Sequence, residues 1–254
     1  MKRGSDIASE LENAERLLTM GAGETWGWST PSGKERVRRR VEFIARELDM
    51  RAGRRFLELG CGTGLFTRHL ARTGASIVAV DIAPRLHEVA RAEVPESNVE
   101  FVVGDLMDPA SRFGDGFDGF YGVSVLHHLD LARALPVIAA RLKPGARFAV
   151  SEPNIENPIN KYYYFTKDVE RRKRAGMSET EMAFEPSELA GALAAHGFRV
   201  ESLAHRDFLH PETPRALIGV IDRIGRLAER IPRVQRWSGS LWCAGSLPQP
   251  HSNP

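Results

Sequence analysis

Residues 55–64 read RFLELGCGTG, a short apolar run followed by three glycines at alternate positions. Phe56, Leu57 and Leu59 favour a buried strand, because they form a compact apolar segment between turn residues. The residues that follow, 63–73, place their apolar side chains on one face of a helix. A strand, a glycine turn and a helix N-terminus let backbone N–H groups face a ligand, so this stretch predicts a nucleotide-type site.

The glycine spacing separates two kinds of nucleotide site. A dinucleotide fingerprint, Gly-x-Gly-x-x-Gly, counted from Gly60 needs its third glycine at position 65. Leu65 stands there, and Gly64 precedes it. A Rossmann oxidoreductase therefore stays open as an alternative that the spacing disfavours.

The segment ELGCGTG at 58–64 resembles the first motif of class I S-adenosylmethionine-dependent methyltransferases, in the group that acts on small molecules. Three later segments, each at the end of a predicted strand, carry the same resemblance: SIVAVDI at 76–82, VEFVVGDL at 99–106, and FDGFYGVSVLHHL at 117–129 with the exit turn LKPG at 142–145. Four motifs in this order are far more specific than one glycine turn.

The resemblance implies that S-adenosylmethionine is the cofactor. Asp81 would accept hydrogen bonds from the ribose hydroxyls and Asp105 would meet the adenine amino group, although either acid could instead be a helix N-cap. Glu58 would contact the methionine end, directly or through water, or would only orient the loop. The remaining cofactor-binding candidates are small or apolar residues of the same motifs: Gly60, Cys61, Gly62, Gly64, Ile82, Leu106 and Val123.

Alternating strands and helices predict an α/β fold, a parallel sheet with helices on both faces. The predicted strands are 55–60, 76–82, 99–105, 117–124, 147–152, 199–208 and 240–244. The predicted core helices are 63–73, 84–93, 131–142 and 187–196. Pro136 either kinks the third helix or marks its start. The resemblance implies a Rossmann-like seven-stranded sheet in the order 3-2-1-4-5-7-6 with the last strand antiparallel.

Three stretches outside this framework are predicted to determine the substrate specificity. The predicted divisions are a helical N-terminal cap at 1–50 with helices near 5–19 and 34–48, a methyltransferase domain at 51–247 with insertions at 154–185 and 209–238, and a disordered tail at 248–254. Ligands of open α/β sheets lie beyond the carboxyl ends of the strands. The cap and the first insertion are therefore expected to close over that edge. For the second insertion, the sequence does not indicate a position relative to the sheet.

Histidines after the fourth predicted strand are candidates for catalysis. His127 or His128 could deprotonate an attacking hydroxyl, because imidazole titrates near working pH. The VLHHL string is widespread in the resembling family, however, including members with different chemistries, so a role in packing and hydrogen bonding alone is the favoured alternative. Just past the fifth strand lie Glu152, a rival catalytic candidate, and Asn154, a candidate substrate contact.

Aromatic residues in the additional stretches are candidates for a substrate wall: Trp26, Trp28, Tyr162 and Tyr163. The two tryptophans lie in a glycine-containing linker and suit a moving lid, but they could equally dock the first helix on the core. An arginine of the basic helix 34–40 could reach the cofactor carboxylate, although such runs are usually solvated faces. The amphipathic segment 215–231 is expected to dock on the core first, on a second copy next and on a membrane surface last.

Composition limits the compartment and the partners. With 254 residues and 42% apolar content the chain can bury one core, and its net charge of +2 gives no reason to expect a nucleic-acid partner. Two cysteines make no disulfide framework, and no signal peptide or membrane-spanning run is visible, so a cytoplasmic location is expected. No His, Cys or carboxylate set has metal-binding spacing.

The sequence thus predicts a methyltransferase acting on a small or medium-sized acceptor such as a quinone, lipid, sugar or natural product. An oxygen acceptor is preferred, since the NPPY-like signature of nucleic-acid and protein-glutamine N-methylating enzymes is absent. A homodimer is possible. A non-catalytic S-adenosylmethionine-binding or scaffold protein remains the other alternative, because binding motifs alone do not establish turnover.

Overall fold

The computed structural model describes residues 7–175, 177 and 182–249. The strands of this part are β1 Arg55–Leu59, β2 Ser76–Asp81, β3 Val99–Val103, β4 Phe117–Val123, β5 Leu142–Pro153, β6 Arg199–Arg206 and β7 Ser240–Ser246. They form one sheet in the order β3-β2-β1-β4-β5-β7-β6. β7 pairs antiparallel with both neighbours, and the other pairs are parallel. The predicted fold class and strand order are confirmed.

Helices join these strands and precede them. In the described residues they are α1 Ile7–Met20, α2 Ala22–Thr25, α3 Pro31–Leu48, α4 Leu65–Leu70, α5 Pro84–Glu93, α6 Leu131–Ala139, α7 Pro158–Phe165, α8 Val169–Arg174, α9 Pro186–Ala195 and α10 Ile218–Ala228. The predicted core helices are therefore present, each with bounds that differ by a few residues at most.

Both faces of the sheet are buried, as its apolar sequence requires. Leu57 and Val78 belong to an apolar cluster on one face, while Phe56 and Ile77 belong to a second cluster on the other. Successive strand residues point to opposite faces, so an apolar run fills both clusters at once. The second cluster includes side chains of α3, and this part of the predicted cap is packed into the core.

One local expectation differs from the structure, and the choice that Pro136 left open is resolved. The expected exit turn 142–145 lies within β5, because Leu142 pairs with Phe117. The pairing register shifts between Phe117 and Gly119, where β5 has the additional residues 143–146. Pro136 lies inside α6, whose start is Leu131 with the side chain of Asp130 as its N-cap. The division into cap, domain and insertions stays a prediction, and most of the predicted tail, 250–254, lies outside the described residues.

Candidate active site

A cavity of about 1780 Å³ opens at the carboxyl ends of the central strands. Residues that follow β1, β2, β3 and β4 line one side of it. Side chains of α1, α3 and α7 line another side, together with the segment 207–211 that follows β6. All three additional stretches therefore border the same space, including the one that the sequence left unplaced.

Most of the predicted cofactor residues line this cavity: Gly60, Cys61, Gly62, Asp81, Ile82, Asp105, Leu106 and Val123. Gly64 instead begins α4, where its φ of 77° requires glycine and where a Cβ would lie 3.0 Å from Val94 Cγ2. Glu58 lies in the core, at the side of the turn that faces away from the cavity lining.

The side chain of Asp81 fixes the glycine turn at the cavity by hydrogen bonds to the backbone. The Gly62 N–H donates to Asp81 Oδ2 at 2.8 Å, and the Ala83 N–H donates to Oδ1 at 3.0 Å. Burial raises the pKa of Asp81 although both of these hydrogen bonds favour its charged form. A Cβ on Gly62 would meet no protein atom within 4 Å, so the turn leaves free room at the cavity wall.

These residues fit a nucleoside cofactor. The carboxylate at the end of β2, the acid Asp105 after β3 and the apolar side chains of Ile82 and Leu106 border one side of the cavity. Polar groups that bind sugar and amine, beside apolar groups that flank a flat base, are what a nucleoside site needs. Asp105 also caps its own loop, since its Oδ1 accepts from the Met107 N–H at 2.8 Å.

Glu58 is a buried acid that links β1 to its neighbours. Its Oε2 accepts from Thr67 Oγ1 at 2.6 Å and from the Tyr121 hydroxyl at 3.0 Å. Burial raises the pKa of Glu58 to about 7. The two hydrogen bonds lower the pKa, but their effect is smaller than that of burial. In this position the side chain fixes the strand and α4 below the glycine turn, and contact with the methionine end stays a prediction.

Glu58 predicts a pH dependence of folding. Its folded pKa of about 7 lies above the ordinary 4.5, so the folded protein binds more protons than the unfolded chain between these values. Stability should therefore fall as pH rises from 4.5 to 7, by about 3 kcal/mol for this one group. Urea titrations across this window should show the loss in the wild type and not in Glu58→Gln.

Glu100→Gln, an exposed acid on β3, is the matched control and should follow the wild type. Parallel stability curves for the wild type and Glu58→Gln between pH 4.5 and 7 would show that Glu58 is charged in the folded protein.

His127 and Glu152 form a buried pair beside the cavity. His127 lines the cavity, and its Nδ1 lies 2.7 Å from Glu152 Oε2. Glu152 Oε1 accepts from the N–H groups of Val125 and Leu126 at 3.1 and 3.0 Å. The carboxylate thus fixes both the loop after β4 and the orientation of the imidazole.

His128 has a different partner. Its Nδ1 lies 3.2 Å from Glu10 Oε1 on α1, and its ring packs on that of His127 with centroids 4.2 Å apart. His128 therefore connects the first helix to the loop after β4. Within the described part of the chain, the carboxylate at Nδ1 of His127 is the fully buried Glu152, whereas the carboxylate at Nδ1 of His128 is the partly exposed Glu10.

Four of the five predicted substrate residues line the cavity, and the fifth holds two segments of the fold together. Trp26, Trp28, Tyr162 and Tyr163 line the cavity. Asn154 is fully buried, and its Nδ2 donates to the backbone carbonyls of Arg236 and Ser238 at 2.9 and 2.8 Å. Its side chain joins the end of β5 to the segment before β7, away from the cavity lining.

Trp28 is packed on its neighbours, while Trp26 is more exposed. The Trp28 ring meets Phe66 edge-on at 5.7 Å, and the guanidinium of Arg36 lies 4.6 Å from its centroid. Trp26 is 38% exposed at the cavity. Docking accounts for Trp28, and a lid role for the linker stays a prediction.

A buried ion pair that sequence reasoning missed lies beside the cavity. The Arg40 Nη2 group donates to Asp207 Oδ2 at 2.7 Å, and Arg36 Nε donates to the same oxygen at 2.8 Å. Arg40 and Asp207 are both almost fully buried and both line the cavity. In the sequence, the one indication of this pair was that Asp207 lies near the end of the predicted strand 199–208. The carboxyl end of that strand lies at the sheet edge where ligands bind.

A comparison with known families and proteins agrees with this geometry. The model of the family described as "Methyltransferase domain" matches residues 57–150. This range reaches from β1 to β5 and includes the glycine turn, Asp81, Asp105 and the loop of His127. Residues 57–150 therefore form a domain of the methyltransferase kind, the kind that the sequence motifs resemble. The choice left open by the glycine spacing is thereby decided in favour of a methyltransferase.

The methyltransferase domain has relatives of known name. Over 118 residues the chain is 36% identical to the ubiquinone biosynthesis O-methyltransferase of Xanthomonas oryzae pv. oryzae, covering 45% of this chain and 49% of the relative. The chain spans about half the length of the curated relatives it matches. The likeness covers 45% of this chain for the first of these relatives and 52% for that of Xylella fastidiosa.

Solved structures resemble nearly the whole fold. A chain of the Haloferax volcanii complex that contains the Trm112 methyltransferase activator has a TM-score of 0.64 and 21% identity, with 96% of this chain and 99% of that chain covered. The N-methyltransferase NodS of Bradyrhizobium japonicum, solved with S-adenosyl-L-homocysteine, has a TM-score of 0.61 and 16% identity, covering 94% and 98%. Both likenesses concern the fold of the methyltransferase domain and what surrounds it.

Two other kinds of feature are absent from the described residues. No group of three or more His, Cys, Asp or Glu side chains there is arranged to hold a metal ion. No helix of that part combines the length and apolar character needed to cross a membrane.

Proposed function

We propose that this chain binds S-adenosylmethionine and transfers its methyl group to a hydroxyl of a small or medium-sized organic acceptor. The pairing of His127 with buried Glu152 at the cavity wall carries this proposal, because it provides a positioned base next to a nucleoside-type site. The matched relative is named an O-methyltransferase, which supports an oxygen acceptor.

The residues that would hold the cofactor are those that fit a nucleoside. Asp81 would accept from the ribose hydroxyls, Asp105 would meet the adenine amino group, and Ile82 and Leu106 would flank the base. When bound, the cofactor supplies a methyl group on a sulfonium that is already a good leaving group. The protein must therefore mainly align the acceptor and exclude water.

His127 has the arrangement of a general base. The Glu152 carboxylate can only accept a hydrogen bond, so it favours the tautomer in which the proton resides on Nδ1 of His127. Nε2 is then the basic nitrogen, able to take a proton from an acceptor hydroxyl. Glu152 acts through His127 and is a positioning residue.

The cavity suits an acceptor with an aromatic or apolar body. Its wall includes Trp26, Tyr162 and Tyr163, whose rings offer apolar faces with a polar edge. Its volume exceeds the range of about 300–1000 Å³ that is usual for small-molecule sites, which leaves room for both cofactor and acceptor. A quinone- or phenol-like acceptor fits this lining best.

Cofactor binding should stabilise the fold. A ligand at a hundred times its Kd adds about 2.7 kcal/mol by mass action, which for a chain of this size raises Tm by roughly 5–10 °C. S-adenosylhomocysteine should produce this shift, and NAD should not. Asp81→Asn should lose most of the shift, because a neutral amide binds the ribose hydroxyls more weakly.

Asp115→Asn, an exposed acid before β4, is the matched control for that measurement. Stabilisation by NAD with no effect of S-adenosylhomocysteine would overturn the cofactor assignment. Transfer of labelled methyl to catechols or hydroquinones then tests the reaction itself. A chain that binds the cofactor but labels no acceptor in a metabolite extract would support the non-catalytic alternative.

A further inference from the structure

The amphipathic segment around α10 is packed with its polar side inward. Asp222 and Glu229 are buried, and both bind Arg39 of α3, at 3.3 Å from Nη1 and 2.8 Å from Nη2. Between them, Gly225 lets the helix approach the Phe208 side chain, since a Cβ there would lie 3.0 Å from Phe208 Cβ. The expected docking of the apolar face on the core is therefore wrong.

The apolar face points to solvent instead. Five large side chains form what we call the apolar stripe, each between 48% and 59% exposed: Leu217, Val220, Ile224, Leu227 and Ile231. Their spacing of three or four residues is that of one helix face, with Leu217 just before α10 and Ile231 three residues after its end. A continuous exposed line of this kind marks an interaction surface rather than scattered apolar residues.

The charge around the stripe is strongly one-sided. Residues 213–238 contain six arginines and two acids, and both acids are the buried Asp222 and Glu229. Four of the exposed arginines pair with no carboxylate within the described part of the chain: Arg215, Arg223, Arg230 and Arg233. The exposed charges of this segment itself are therefore all positive, with Glu35 of α3 lying 3.7 Å from Arg226 at its edge.

This combination discriminates among possible occupants. A second copy related by a two-fold axis would bring the same arginines together across the contact, which like charge disfavours. A nucleic acid would satisfy the arginines but leave the five apolar side chains in water. An anionic bilayer satisfies both, since acyl chains take up the apolar face while lipid phosphates meet the flanking arginines.

We propose that the stripe and its flanking arginines dock the protein on an anionic lipid bilayer, with α10 lying in the plane of the interface. The helix binds in its native position, because its inward face is already fixed by Arg39. Docking there would hold the protein at a membrane, where lipophilic acceptors reside. That last consequence rests on the proposed function, whereas the docking does not.

Vesicle sedimentation with the full chain tests the docking. The protein should bind vesicles of phosphatidylcholine with phosphatidylglycerol, bind phosphatidylcholine alone far less, and dissociate as salt screens the arginines. Ile224→Glu should weaken binding at least about tenfold, because it removes one apolar side chain from the contact with the acyl chains and places a negative charge against an anionic surface. Arg223→Glu with Arg230→Glu should weaken it as well.

Matched variants control for charge and exposure. Val103→Glu changes an apolar side chain of similar exposure on β3, and Arg72→Glu with Arg133→Glu makes the same charge change elsewhere. These should retain most of the binding, and Tm should be unchanged in Ile224→Glu because its side chain is exposed.

Three results would overturn the proposal. The first is the absence of binding to anionic vesicles, or binding that Ile224→Glu leaves unchanged. The second is a dimer in vesicle-free solution that Ile224→Glu dissociates, which would assign the stripe to a second copy. The third is equally tight binding to duplex DNA without any effect of Ile224→Glu, which would assign the arginines to a polyanion.

Discussion

Replacing His127 with asparagine is expected to lower kcat for methyl transfer to a hydroxyl acceptor by about 10²–10⁴-fold, the usual contribution of a positioned base. Asparagine keeps a polar group near Glu152 but cannot take the acceptor proton. Cofactor affinity, measured by calorimetry with S-adenosylhomocysteine, should change little. The acid-side fall in kcat that a titrating base produces should be absent from the pH profile of the variant.

Glu152→Gln separates the positioning role from a merely structural one. The glutamine carbonyl can still accept from the Val125 and Leu126 N–H groups, so the loop after β4 keeps its hydrogen bonds. Its amide would donate toward His127 Nδ1 and favour the tautomer with the proton on Nε2, which is no longer basic. We expect kcat to fall nearly as far as in His127→Asn, with KM less affected.

His128→Asn is the matched control for both variants. His128 contacts Glu10 of α1 rather than Glu152, so its loss should reduce kcat by much less than the loss of His127. Equal losses at the two histidines would assign them a shared packing role. Full activity of His127→Asn on a hydroxyl acceptor would remove the base from the mechanism.

Local sequence patterns are sufficient for the core of this protein. β1, β2 and β4 follow apolar runs that end in turn residues, and the bounds in the structure match the predicted ones to within a residue or two. β5 begins five residues earlier than predicted because its first residue, Leu142, pairs with Phe117 of β4. The local sequence pattern of a strand does not indicate which distant residues it pairs with.

The cofactor side of the candidate site was predictable for a similar reason. Asp81 is the last residue of β2 and Asp105 lies two residues after β3, and parallel strands bring such positions to one edge. The Arg40–Asp207 pair was not predictable, since its members are 167 residues apart and each has an ordinary local context. The reversed packing of α10 was missed because periodicity shows that two faces differ and does not show which one is buried.

Replacing Asp207 with asparagine is expected to destabilise the folded protein by about 3–5 kcal/mol, the range for breaking a buried ion pair at one partner. Arg40 is almost fully buried and would keep its charge without a carboxylate. The φ of Asp207 is 80°, a conformation that asparagine tolerates, so backbone strain should not add to the effect. Urea unfolding at pH 7 measures the loss.

The pH dependence of this loss has a definite direction. Burial alone would raise the pKa of Asp207, but the charges and hydrogen bonds of Arg40 and Arg36 hold it at about 2, below the ordinary 3.8. A lowered folded pKa contributes stability that is complete above 3.8 and is lost as pH falls toward 2. The difference between wild type and Asp207→Asn should therefore shrink over that range.

Two further variants show whether charge is the cause. Asp49→Asn removes an exposed acid that pairs with Arg51 and Arg54, and it should leave stability nearly unchanged because such pairs are well solvated. Arg40→Met in the Asp207→Asn background removes the uncompensated charge and should restore part of the lost stability. If methionine instead deepens the loss, packing and hydrogen bonding of Arg40 hold this region together, and the fold depends on its guanidinium more than on its charge.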